Sequence, residues 1–321
     1  MGEVGEFRST AGRERYFAAY DLAMAECPMP DEVHDVVTAH GSTRVYRFGS
    51  GGAPVVLLPG MLGTAACHAE LIPALGSVYA VDTLGEAGRS VQTAPFVDTA
   101  DRARCLDAVF ERLGLTGVHL VGGSTGGWHA VNQAVHAPGR LASISLLDPT
   151  TVTSGFAPAA LGYGVLGGLV NRDWVWRRFL RWSAGADVLD RADVRLVLAG
   201  MREYRVRVPF QVRPAAEQIR ALSVPVLGMF AARSAVHDGV AAARLLAELL
   251  PGADVEVLPE AGHFVYLRAP DRDRIAARVR GFVGRVQRGR GNVLMPGTSR
   301  GRSGYRDGTG TEREGTGDVH R

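Results

Sequence analysis

Short runs of consecutive apolar residues alternate along this chain with longer stretches in which apolar positions recur every three to four residues. The runs are 54–58, 77–81, 118–121, 144–147, 224–230 and 255–258. Because they are apolar at successive rather than alternate positions, they predict strands buried on both faces. The segments 67–75, 99–113, 127–137, 240–250 and 272–286 carry the helical period. Repetition of strand, loop and helix predicts an α/β fold: a doubly wound, mostly parallel sheet with helices on both sides. Upstream, Tyr16, Phe17, Tyr20 and Met24 recur at helical spacing, and the strand signals 33–39 and 43–48 are joined by His-Gly-Ser as a hairpin.

The rhythm breaks at 149–222. Aromatic-rich helical segments such as RDWVWRRFLRW mark this stretch as a helical lid inserted into a core made of 11–148 and 223–286. Trp174, Trp176, Phe179 and Trp182 partly share a helical face, which suits packing of the lid or, as the sharper alternative, an apolar substrate wall. The neighbouring Arg172, Arg177, Arg178 and Arg181 read as a solvated helix face. Residues 149–171 carry no charge, but Gly and Pro interrupt them, so they read as an apolar cap segment rather than a membrane span. Residues 1–10 and the Arg- and Gly-rich 287–321 have too few apolar groups to fold and are expected to be disordered.

Composition narrows the chemistry. All 36 basic residues are arginine and the net charge is +3. Without lysine, neither a Schiff base nor a Ser/Lys pair is available. From 285 to 321 there are eight Arg against four acidic residues, so the rest of the chain is close to neutral and no nucleic-acid partner is expected. Cys27, Cys67 and Cys105 are odd in number and lack a CxxC pair, which disfavours disulfides and zinc and suits reduced thiols in the cytoplasm. The N-terminal residues lack the apolar run of a signal peptide.

One segment carries a nucleophile signal. In VHLVGGSTGGWHAV, Ser124 sits in a Gly-x-Ser-x-Gly turn between an apolar strand and a helix. A tight strand-to-helix turn exposes the hydroxyl, and residues two before and two after must be small because the chain closes on itself; Gly122 and Gly126 meet that need. The helix start also favours developing negative charge.

Together with LLPGMLG at 57–63, VDTLGEAGRS at 81–90 and PEAGHF at 259–264, this turn resembles the α/β-hydrolase superfamily, with lid-bearing bacterial carboxylesterase-like enzymes as the nearest likeness. The resemblance covers about 10–284 and implies a nucleophile at Ser124, a general base at His263, and an oxyanion hole formed by the backbone N–H groups of Met61 and Thr125. Pro59 stands where many members carry His, and Gly60 lets that loop approach the substrate. The acid departs from the pattern, since Ser234 occupies the usual position after the strand 224–230. Asp148, after the strand 144–147, is where some members carry their acid; the alternative, Asp238, also reads as a helix N-cap, and Asp148 also reads as an Asp-Pro turn. Asp82 is read as holding its own loop.

The expected function is hydrolysis of a carboxylic ester or related acyl compound, with a small apolar or amphipathic acyl substrate and neither cofactor nor metal. Carbon-carbon bond hydrolysis, lyase or perhydrolase chemistry on the same fold is the alternative. A non-catalytic small-molecule receptor is the third reading, motivated by the missing carboxylate at Ser234.

Overall fold

The computed structural model describes residues 3–293. The first half of the chain builds β1 (Glu6–Phe7), α1 (Thr10–Met24), the hairpin β2 (Glu32–Thr38) and β3 (Gly41–Phe48), β4 (Val55–Leu58), a 3-10 turn at Ala65–His68 and α2 (Ile72–Leu75). There follow β5 (Val78–Val81), β6 (Val91–Gln92), α3 (Thr99–Arg112), β7 (Val118–Gly123), α4 (Thr125–His136) and β8 (Leu141–Leu147). An insertion then contributes α5 (Pro158–Val170), α6 (Asp173–Ala184), α7 (Ala192–Glu203), β9 (Tyr204–Arg205) and α8 (Ala216–Arg220). The sheet resumes with β10 (Val226–Ala231), α9 (Gly239–Leu249) and β11 (Asp254–Leu258), and α10 (Ala269–Val293) closes the described chain.

Eight strands run in the order β11-β10-β8-β7-β4-β5-β3-β2, with β6 paired to β3 at one end. From β11 to β5 the pairing is parallel; β3 pairs antiparallel with β2, β5 and β6. Alternate side chains of the central strands enter two separate cores. Leu57, Val121 and Leu147 pack on one face with Tyr16, Ile275 and Val279, whereas Leu58, Leu120 and Leu146 pack on the other with Phe110, Trp128 and Leu246. This two-sided burial is the physical origin of the uninterrupted apolar runs. It also leaves the carboxyl ends of β7, β8 and β10 side by side, where loops can gather functional groups.

All six apolar runs fold as strands, with bounds shifted by one to three residues. Other details differ from the sequence pattern. The helix expected at 67–75 is split into the 3-10 turn, capped by Thr64, and the short α2, with Pro73 in its first turn. Residues 3–10 are not disordered: Phe7 packs against Tyr16, Phe17 and Tyr204, β1 pairs with β9, and Ser9 caps α1 by accepting from the Gly12 N–H at 3.0 Å. A single aromatic residue supplies the burial that the polar composition of this segment conceals. At the other end, α10 runs beyond 286 to Val293, aided by the high helix propensity of Arg and by the Arg285–Asp254 contact of 2.6 Å. The remainder of the expected disordered tail, 294–321, and residues 1–2 lie outside the described residues.

Leu146 is completely buried in the middle of the sheet. Replacing it with Ala should cost about 2–5 kcal/mol through lost burial and a residual cavity. Urea denaturation measures this directly, and a loss under about 0.5 kcal/mol would contradict the packing described.

Candidate active site

The turn after β7 has the strain expected of a nucleophile elbow. Ser124 has φ 52° and ψ −118°, a combination disfavoured for an L side chain. Its N–H donates to the Leu147 carbonyl at 3.0 Å, and its own carbonyl accepts from the N–H of Gly127 at 3.0 Å. Close packing explains the two glycines: a Cβ on Gly122 would lie 2.1 Å from the Gly126 oxygen, and one on Gly126 would lie 2.1 Å from the Leu58 oxygen. Any larger residue would force the backbone apart.

The loop after β11 delivers His263 to this hydroxyl. His263 Nε2 lies 2.9 Å from Ser124 Oγ and Nδ1 lies 2.7 Å from Asp148 Oδ2. A carboxylate only accepts, so the ring proton sits on Nδ1 and leaves Nε2 to receive the serine proton. Asp148 is fully buried at the end of β8, in the left-handed region at φ 43°. Its Oδ1 accepts from the Ala231 N–H at 3.0 Å, and its Oδ2 also accepts from the Ser234 hydroxyl at 2.8 Å. Ser234, at the position where the resemblance places the acid, therefore binds a carboxylate that extends from the neighbouring strand. Asp238 is elsewhere. It caps α9, accepting from the Ala241 N–H at 2.9 Å, and makes no contact with His263.

A second imidazole flanks the same carboxylate. His237 Nε2 lies 3.0 Å from Asp148 Oδ1, off the line of a well-directed hydrogen bond, while its Nδ1 lies 2.7 Å from Ser154 Oγ. Burial opposes ionisation of Asp148, but the contacts to His237 and His263 outweigh it and hold the carboxyl well below the usual carboxylate range. Asp148, His237 and His263 bring three ligand-type atoms within 4.8 Å of one another, the only such cluster among the described residues.

Ser124 and His263 open onto a cavity of about 90 Å³. Gly60, Met61 and Thr125 line it beside Ser124, and Phe156, Phe179, Leu180, Met201, Phe264 and Tyr266 add apolar lining. Thr125 is the first residue of α4, so its N–H has no carbonyl within the helix to bind. The loop runs beside Ser124: a Cβ on Gly60 would lie 3.5 Å from Ser124 Cβ, an ordinary van der Waals contact. Of the four aromatic residues singled out in the insertion, Phe179 lines the cavity; Trp176 and Trp182 pack against it, and Trp174 is exposed.

Two buried carboxylates hold the loops around the cavity. Asp82 accepts from the N–H groups of Ala65 and Arg89 at 3.0 and 2.8 Å and from the Tyr20 hydroxyl at 2.8 Å, as its strand-end position suggests. Glu86 was not legible. Its Oε2 accepts from the Leu62 N–H at 2.6 Å, next to Met61, and Leu62 itself has φ 58°. Its Oε1 pairs with Arg102 Nη2 at 3.1 Å, and the same nitrogen donates to His129 Nε2 at 2.8 Å. Arginine cannot accept, so His129 is neutral, in keeping with a pKa brought down to about 4 by burial and by Arg102. Burial alone would raise the Glu86 carboxyl, but the Arg102 charge and the Leu62 N–H keep it below its ordinary value.

The fold and this arrangement of Ser, His and Asp define a class. A family model described as the alpha/beta hydrolase family matches residues 55–278, and the chain belongs to that family. Among individual proteins, it is 30% identical over 280 residues to carboxylesterase YbfK of Bacillus subtilis strain 168, covering 83% of this chain and 93% of that one. The crystal structure of carboxylesterase CesB (YbfK) from Bacillus subtilis superposes with a TM-score of 0.78 at 27% identity, covering 85% of this chain and 99% of that one. The crystal structure of naproxen esterase (carboxylesterase NP) from Bacillus subtilis gives 0.77 at 25% identity, with coverage of 87% and 99%.

Glu86→Gln should leave Arg102 buried without its counter-charge and release the Met61–Leu62 segment. Losing one partner of a buried pair costs about 3–5 kcal/mol. The variant should melt lower and, in the fraction that remains folded, lose kcat more than it raises KM. An unchanged Tm together with unchanged kcat would remove Glu86 from this role.

Proposed function

We propose that this chain is a serine carboxylesterase that works through an acyl-enzyme on Ser124. The observation that carries the reading is the position of the His263 ring, bridging Ser124 Oγ at 2.9 Å and Asp148 Oδ2 at 2.7 Å. His263 Nε2 takes the Ser124 proton as the oxygen attacks the ester carbonyl. The charge that develops on the carbonyl oxygen is met by the N–H groups of Met61 and Thr125, both residues of the cavity lining. Collapse expels the alcohol with the proton from His263. Water then attacks the acyl group, His263 takes its proton, and the carboxylic acid leaves with Ser124 restored. Asp148 holds the Nδ1 proton throughout and stabilises the imidazolium without being protonated itself.

The walls supply specificity. Among the described residues, no Asp, Glu or Arg lines the cavity, which suits an apolar or amphipathic acyl group. Segment 149–222 acts as the cap, because Phe156, Phe179, Leu180 and Met201 reach the cavity from it. Asp148 provides the carboxylate whose absence at Ser234 motivated a receptor reading. The three unpaired cysteines fit a reducing, cytoplasmic setting, and no helix among the described residues is long and apolar enough to cross a membrane.

Ser124→Ala should abolish hydrolysis of p-nitrophenyl esters and labelling by a fluorophosphonate probe, with Tm unchanged. Loss of a serine nucleophile costs on the order of 10⁶ in kcat. Wild-type turnover by the purified variant would exclude Ser124 as the nucleophile.

A further inference from the structure

Helix α5 presents a physical contradiction. Its sequence, PAALGYGVLGGLV, contains no charged residue, and a helix apolar on every side is normally buried. Here only Ala160 and Gly167 are buried. These two, with Tyr163, form the inner edge: Tyr163 stacks on Phe179 and Trp182 at 5.7 and 5.3 Å, and a Cβ on Gly167 would lie 2.2 Å from Trp176. The outer face exposes Leu161, Val165 and Leu169 in one row, with Leu166, Val170 and the adjacent Trp174 beside it. Single exposed apolar residues need no explanation, but a contiguous patch does.

Charge indicates what covers it. Between 149 and 213 the chain carries ten arginines and five acidic residues, a larger positive surplus than the +3 of the whole chain. Acidic neighbours absorb much of this charge, as at Arg177–Asp173, Arg202–Asp173 and Arg181–Asp187. Arg172, which directly precedes α6, and Arg178 within it are exposed; Arg178 donates to the Tyr163 hydroxyl, and neither residue is among the ion pairs of the described residues.

We propose that the outer face of α5 docks on an anionic lipid surface, with its leucine and valine row dipping into the acyl boundary, Trp174 at the headgroup level, and Arg172 and Arg178 on the lipid phosphates. An uncharged helix face flanked by Arg and Trp has the chemistry of an interfacial helix. A second copy of this chain is the poorer occupant, because a two-fold contact through α5 would set this arginine-rich region against its own mate. Phe179 connects the surface to the cavity, since it lines the cavity and stacks on Tyr163. A docked molecule would therefore take apolar esters from the lipid phase. The binding itself rests on exposure and charge and is independent of the role given to Ser124.

Flotation of the full chain with phosphatidylcholine vesicles, with and without phosphatidylglycerol, tests the proposal. At low ionic strength the protein should float with the anionic vesicles only, and binding should weaken as salt is added. Val165→Asp with Leu169→Asp should abolish flotation, and Arg172→Glu with Arg178→Glu should weaken it roughly 25-fold or more, since each arginine near such a surface is worth about fivefold. Val97→Asp, an equally exposed apolar site outside the insertion, should bind as wild type. Should the double aspartate variant fail to fold by circular dichroism, the arginine pair decides the matter. The proposal is overturned by absence of flotation with anionic vesicles, by binding that survives both double variants, or by a dimer in sedimentation velocity that the aspartates dissociate.

Discussion

The site is organised around one buried carboxylate. Asp148 accepts from a backbone N–H at Ala231, a hydroxyl at Ser234 and a ring nitrogen at His263, with a second ring nitrogen, that of His237, 3.0 Å away. A charge with no solvent exposure is tolerable only when its lone pairs are occupied in this way. Its partners come from the end of β10, the loop after β10 and the loop after β11, so the contacts that stabilise the charge also fix the carboxyl ends of those two strands and of β8, from which Asp148 itself extends. His263 is held at the right distance from Ser124 because Asp148 is held first.

That arrangement accounts for a carboxylate at Asp148 and a hydroxyl at Ser234. β8 and β10 are adjacent and parallel, and Leu147 lies opposite Met229 in register. A carboxylate one residue past β8 and a side chain a few residues past β10 therefore reach the same space. With Asp148 supplying the charge, the β10 loop needs only a hydroxyl donor, and Ser234 provides it. The packing leaves little freedom there, since a Cβ on Gly239 would meet the Ala231 oxygen at 2.2 Å.

Much of this was legible in the sequence, for physical reasons. Strands buried on both faces leave uninterrupted apolar runs, and the tight strand-to-helix turn leaves glycines two residues to either side of Ser124. The choice between Asp148 and Asp238 was not legible, because each has an ordinary local role and only the register of β8 against β10 separates them. His237, Glu86, Arg102 and His129 left no signal, since their meaning lies in contacts across 16 to 89 positions of chain. A buried ion network has no periodicity. The two-residue strands β1, β6 and β9 escaped for the same reason, and Phe7 orders the N-terminal segment through tertiary contacts alone.

Comparing Asp148→Asn with Asp238→Asn at saturating ester, with thermal melting alongside, tests the central claim most directly. Loss of the carboxylate that orients a catalytic histidine can cost about 10⁴ in kcat. Asn still caps a helix, so the Asp238 substitution should leave kcat nearly unchanged and alter stability by less than about 1 kcal/mol. Asp148→Asn is expected to be the inactive variant and Asp238→Asn the active one. Activity retained by Asp148→Asn, or lost on Asp238→Asn in a protein that still melts normally, would contradict the assignment of Asp148 as the acid.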